Sequence, residues 1–150
     1  MKNIIVLILF LITSCGYQPL YKVEEKINVK SVKEVEFLGN KKISKQIFSR
    51  LPYKININDN NLNKIIIESK INTIGTSKNS KGQVTSYRTS LTVNYLLLDQ
   101  KNNSLDNKEF SKEFSYNSNE NKFKFKEYQR KIEKNLIDKI IEDIIIHLNL

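Results

Sequence analysis

Tryptophan is absent from this chain of 150 residues, and cysteine, histidine and methionine occur once each. With one cysteine no internal disulfide can form. With one histidine, His147, there is neither a Ser-His-Asp set nor a Cys/His metal cluster. His147 reads instead as a partly exposed residue at the end of a helix. Four glycines and two prolines exclude a collagen-like or proline-rich disordered chain. Gly75 and Gly82 stand too far apart to cradle a phosphate. The longest unbroken apolar run covers residues 4–12, well short of the ~20 residues a membrane-spanning helix needs.

Basic residues are plentiful. Lysine and arginine number 25 against 16 acidic residues, a formal net charge of +9 carried mainly by lysine. Such an excess suits nucleic acid, an anionic membrane surface or an anionic ligand. Lys, Ile and Asn dominate together, as in proteins from AT-rich genomes, so much of the lysine is expected on solvated faces.

The N-terminus sets the compartment. Met1, Lys2 and Asn3 form a short positive start, residues 4–12 form an apolar stretch, and Ile12-Thr13-Ser14-Cys15 follows. This is the layout of a secretory leader, and small residues before a cysteine at its end resemble a bacterial lipobox. On that resemblance residues 1–14 are a signal peptide removed before Cys15, and Cys15 is the lipidation site. Several acyl chains anchor durably because each buried CH₂ contributes about 0.8 kcal/mol. Gly16 after the cysteine, where an aspartate would resemble an inner-membrane retention signal, points to the outer membrane. Residues 15–26 then read as the lipidated cysteine and a tether, in which Pro19 disfavours helix.

Residues 27–150 read as one α+β domain. Val, Ile and Phe enrichment predicts a first strand over 27–38, with a bulge or register break near Ser31 and Val32. Asn40 is placed to cap a helix bearing Ile43, Ile47, Phe48 and Leu51, which Pro52 stops. Residues 54–61 read as an Asn-rich loop. Ile65, Ile67, Ile71 and Thr73 alternate along a strand over 63–74, and a polar turn is expected over 75–82. Over 83–98 Thr85, Tyr87, Thr89, Leu91, Val93, Tyr95 and Leu97 share one face. Phe110, Phe114 and Tyr116 alternate over 105–116. The strongest pattern is a helix over 125–147, whose stripe runs Tyr128, Ile132, Leu136, Ile140, Ile144 and Leu148. The expected architecture is a four-stranded antiparallel sheet with two helices on one face, in the order β-α-β-β-β-α.

No catalytic set and no metal or cofactor motif emerges, and the charged residues of the last helix read as a solvated face. The domain therefore reads as a binding or scaffold module rather than an enzyme. An RNA-recognition module would need the order β-α-β-β-α-β, which the pattern lacks, so nucleic acid is not the expected partner.

Three tracts resemble the LptE family of lipopolysaccharide-assembly lipoproteins. Cys15-Gly16-Tyr17-Gln18-Pro19-Leu20-Tyr21 is similar to the start of the mature proteins. Gly82-Gln83-Val84-Thr85-Ser86-Tyr87-Arg88-Thr89-Ser90-Leu91-Thr92-Val93 is similar to their long central strand. Residues 114–117, a short turn and the terminal helix resemble their last strand and helix. The resemblance implies a lipoprotein held at the periplasmic side of the outer membrane, seated in an LptD-like β-barrel and assisting lipopolysaccharide assembly. It implies ligand contacts in the turn between the second and third strands, where Lys78 and Lys81 flank Ser80. It implies further contacts near the start of the last helix, where Lys126 is the best match beside Lys122 and Lys124. Phe123 and Phe125, interleaved with those lysines, are expected either to pack on the sheet or to meet acyl chains or the barrel wall. The competing expectation is an accessory lipoprotein of another outer-membrane barrel-assembly or secretion complex.

Overall fold

The computed structural model describes residues 30–59 and 62–149. The leader, Cys15, the tether and the first residues of the expected first strand lie outside the described residues. The elements are β1 (Lys30–Val32), β2 (Glu34–Gly39), α1 (Lys41–Phe48), β3 (Tyr53–Ile55), β4 (Lys64–Lys78), β5 (Val84–Leu98), β6 (Ser104–Asn117) and α2 (Lys122–Asn149).

Four strands form one sheet in the order β2-β4-β5-β6, and β1 pairs with β3 in a separate two-stranded sheet. The expected sheet was wholly antiparallel; the observed one is mixed, because β2 runs parallel to β4. The reason is the connection. Helix α1 carries the chain back after β2, so β4 starts from the same end as its neighbour. Tight turns join β4 to β5 and β5 to β6, and those pairs are antiparallel.

The element order also differs from the expectation. The single strand expected over 27–38 is two strands, parting at Lys33, whose N–H donates to the Asn63 carbonyl (2.8 Å). Upstream of that point β1 pairs with β3, which runs into the stretch read as loop. A tertiary contact holds β3 in place. Tyr53 is buried, and its hydroxyl bonds that of Tyr95 on β5 (2.8 Å).

Both helices cover the same face of the sheet. In register across it lie Ile65 and Leu97, Ile67 and Tyr95, then Val93 and Phe110, and Tyr87 and Tyr116. Onto this face α1 places Ile43 and Ile47, and α2 buries Ile132, Leu136, Ile137, Ile140, Ile141 and Ile144. Each fully buried side chain of this kind contributes roughly 1.5–3 kcal/mol. The opposite face carries Glu68, Lys70, Arg88, Glu109 and Glu113, all exposed.

The turn between β2 and α1 is locked by small residues. Gly39 has φ +63°, and a Cβ there would meet the Ser69 carbonyl oxygen at 2.2 Å. The Asn40 side chain accepts the Ile43 N–H (3.3 Å) as helix cap. Ser44 and Ser69 are fully buried yet satisfied: their hydroxyls bond each other (2.8 Å), and they reach the Leu38 and Asn40 carbonyls.

Helix α2 has 28 residues, roughly 42 Å at 1.5 Å per residue. It starts beside the end of β6 and finishes where His147 Nε2 meets Asp106 near the start of β6 (2.8 Å). His147, expected as a partly exposed helix-end residue, therefore fastens the far end of the helix to the sheet. One helix thus ties together the two ends of the long strands.

Candidate functional site

The β4–β5 turn is built by one side chain. Asn79 Oδ1 accepts the N–H groups of Lys81 and Gln83 (both 3.0 Å), and its amide donates to Gln83 Oε1 (2.9 Å). Gly82 supplies the left-handed residue at φ +77°. The strand outlasts the sequence expectation: Gly75 stays within β4 opposite Tyr87, and Lys78 is the last strand residue, opposite Val84. Lys78 therefore sits on a strand end and Lys81 on the turn tip, both exposed.

The start of α2 is fixed by another asparagine. Asn121 Oδ1 accepts the N–H groups of Phe123 (3.1 Å) and Lys124 (3.0 Å). The first turn then carries lysines and no acidic residue. Cations at a helix start oppose the macrodipole, typically by 0.3–1 kcal/mol each. Helix α1 begins with Lys41 and Lys42 in the same manner, so a helix start alone does not mark a site.

What distinguishes α2 is convergence. Strand β5 runs antiparallel to both neighbours, with Lys78 opposite Val84, Ser86 opposite Asn117, and the Ser118 N–H donating to the Thr85 carbonyl (2.8 Å). The β4–β5 turn and the start of α2 therefore share one end of the molecule. Lys78, Lys81, Lys122, Lys124 and Lys126 gather there with Glu120 and Glu127. Among the described residues none of these five lysines forms an ion pair.

A polar chain, buried only at its middle, positions that end. Thr73 and Thr89 share a hydroxyl bond (2.8 Å), Thr89 bonds Tyr116 (3.0 Å), and Gln129 of α2 donates to the Tyr116 hydroxyl (3.1 Å). Around it Phe125 lies 5.2 Å from Tyr87 and 6.0 Å from Tyr116 between ring centres. The two phenylalanines of the helix start therefore divide. Phe125 packs on the sheet, and Phe123 is 72% exposed among the lysines.

The far end is arranged differently. Asp99 Oδ1 accepts the N–H groups of Lys101 and Asn103 (both 2.8 Å) and Oδ2 accepts from the Asn103 amide (2.8 Å). These bonds, led by the Asn103 side chain, hold the Asp99 carboxyl below its ordinary pKa. Lys64 bonds Glu36 (2.8 Å) and lies 3.5 Å from Glu34, and the Glu36 bond raises its pKa. At this end Lys64 and His147 are thus paired with acids, while Lys33 and Lys101 form no ion pair among the described residues.

Two residues read from the sequence only as members of apolar stripes are half open. Phe114 of β6 and Tyr128 of α2 are 43% and 44% exposed, and both line a groove of about 270 Å³ between strand and helix. A hint was present in the sequence: Lys112 interrupts the apolar alternation from Phe110 to Phe114, as it would where the core runs out at a sheet edge.

The fold has known counterparts. Rare lipoprotein B from Shewanella oneidensis is similar at a TM-score of 0.60 and 11% identity, over 77% of this chain and 93% of that one. A minor lipoprotein from Acinetobacter baumannii gives 0.59 and 17%, over 78% and 88%. At these identities the likeness shows the fold. A search of curated protein sequences gives no match. The sequence model described as "LptE: Lipopolysaccharide-assembly" matches residues 28–148, nearly all of the chain beyond the N-terminal segment. The chain belongs to the LptE family.

Proposed function

We propose that this protein is an outer-membrane lipoprotein, anchored through Cys15 on the periplasmic side, that complexes with an LptD-like β-barrel and assists lipopolysaccharide assembly. In this reading it is a binding module and not an enzyme. Lys78, Lys81 and Lys126 present positive charge to the phosphates and carboxylates of lipopolysaccharide, with Lys122 and Lys124 beside them. The observation that carries the reading, within an LptE-family chain, is the gathering of unpaired lysines from two separate elements at one end of the sheet. Anionic ligands are drawn to such a cluster, and the attraction weakens as salt shortens its reach. The lipid anchor and the exposed Phe123 add apolar contact for an acylated ligand or its surroundings.

Purification from solubilised outer membrane, with mass spectrometry of the partners, tests the complex. A stoichiometric LptD-like barrel is the expected companion. A different barrel would make the protein an accessory of another assembly or secretion complex, and no barrel at all would contradict the reading. Cys15→Ser should abolish lipid labelling and release the protein from the membrane. Unchanged labelling and retention would remove the anchor from the account.

A further inference from the structure

Strand β6 is an edge of the four-stranded sheet: it pairs with β5 on one side and with no strand among the described residues on the other. Such an edge offers a row of backbone N–H and C=O groups to any strand that can reach it. Beside it runs the groove between β6 and α2, with Phe114, Tyr128, Ile132 and Leu136 as an apolar floor. The groove lies where the helix-facing side chains of an added strand would go. A free backbone edge and an open apolar groove along it are the two parts of strand-addition recognition: the backbone supplies affinity and the groove selects alternate side chains.

The rim selects further. Lys112 is held by Asp143 (2.7 Å), and Glu113 turns to the other face of the sheet toward Arg88 (3.9 Å). Lys131 and Lys139 line the groove without an ion pair among the described residues. They stand eight positions apart on α2, roughly 12 Å along the helix at 1.5 Å per residue. An extended strand covers that distance in about four residues at 3.3 Å each. We propose that the β6 edge and its groove receive an extended peptide segment of a partner protein, added as a further strand. Its groove-facing residues read acidic, apolar, acidic at every second position.

Two other occupants fit less well. A second copy of this chain, pairing β6 to β6 about a two-fold axis, meets like charges at each central register. Centred on Phe110 it sets Lys108 against Lys112; on Ser111, Glu109 against Glu113; on Lys112, that lysine against itself. An acyl chain would cover the floor but leave the backbone edge unanswered.

The test uses the full chain in neutral phosphatidylcholine vesicles and a fluorescent peptide, threonine-flanked, containing Glu-Thr-Leu-Thr-Glu. Saturable binding is expected. It should weaken at least about tenfold when the glutamates become lysines, because like charges then face each other across the groove. N-methylation of alternate amides along one edge of the peptide should weaken it comparably, because the backbone bonds are lost. The double variant Lys131→Glu, Lys139→Glu should reverse the preference between the two peptides, and its unchanged far-UV circular dichroism would show that it folds. The proposal is overturned by absence of peptide binding, by equal binding of the N-methylated peptide, by dodecanoate binding in place of the peptide, or by self-association through β6.

Discussion

Residues 79–83 and 99–103 turn the chain at opposite ends of the long strands by the same device. In each, the first side chain accepts the N–H groups two and four positions on, and the fourth residue is left-handed: Gly82 at φ +77° and Asn102 at φ +62°. The difference is charge. The first turn is closed by neutral Asn79 and flanked by Lys78 and Lys81. The second is closed by Asp99, which stands against Lys101, while Lys64 nearby is bound by two glutamates. The backbone does not make one end a site. In the proposed reading clustered lysine does, supported by a helix start that brings more of it. Each end also has its own buried hydroxyl bond: Thr89 with Tyr116 at the lysine end, Tyr53 with Tyr95 at the other.

The largest effect is expected from beneath the lysine end. Tyr116→Ala removes the ring that Tyr87, Phe125 and Tyr128 pack on and strips Thr89 of a partner. Large-to-small changes of this kind cost about 3–5 kcal/mol. Urea unfolding should show a loss of that size, and hydrogen exchange should rise first in the opening turns of α2 rather than around His147.

At the other end Tyr95→Phe leaves the buried Tyr53 hydroxyl without its partner, a cost of about 1–3 kcal/mol. Burial, above all, pushes the pKa of both phenols up, Tyr95 the further, and their mutual bond adds to the rise at Tyr95. The folded state thus holds these protons more tightly than the unfolded chain. Their stabilisation is whole below about pH 10, the unfolded tyrosine value, and is lost as the pH rises beyond it. The parent should lose stability steeply above that pH, and Tyr95→Phe should flatten the loss. Parallel alkaline curves for the two proteins would contradict the assignment.

The turns themselves should answer with opposite signs. Gly82→Ala forces a Cβ into the left-handed region and costs about 1–2 kcal/mol, whereas Asn102→Gly relieves a smaller strain and should stabilise slightly. The smallest effect on stability is expected from Asn79→Asp. Asp99 already shows that a carboxylate closes this turn, so melting should barely move while the lysine end loses one unit of positive charge.

The sheet face was legible where burial imposed a period on many residues. Leu91, Val93 and Tyr95 alternate because every second side chain of β5 lies under a helix, and the α2 stripe follows from packing on that same face. Strand direction was not legible, because the residues of β2 would read alike running either way and only the α1 connection decides. The β1–β3 pair escaped because three residues carry no period, and the fixing contact, Tyr53 with Tyr95, spans 42 positions. Gly75 misled as a turn signal. It sits inside β4, where a Cβ would meet a Val84 methyl at 2.8 Å. As for the proposed site, sequence resemblance names the lysines but says nothing of their pairing. Nothing local in the sequence tells Lys64, which meets Glu34 and Glu36 across strands, from Lys78, which meets no acid among the described residues.

Whether the lysine end binds lipopolysaccharide can be measured directly. Binding of purified lipopolysaccharide to the full chain in neutral vesicles should be compared, at low and high salt, for the parent, the triple variant Lys78→Glu, Lys81→Glu, Lys126→Glu, and Lys101→Glu at the far turn. The three substitutions reverse exposed charge without removing buried apolar surface, so the fold should survive. The triple variant should lose affinity at least about tenfold at low salt, and the gap should narrow at high salt as screening shortens the reach of those charges. Lys101→Glu should bind as the parent does. Parent-like binding by the triple variant at low salt, or an equal loss in Lys101→Glu, would contradict the assignment of the ligand to this end.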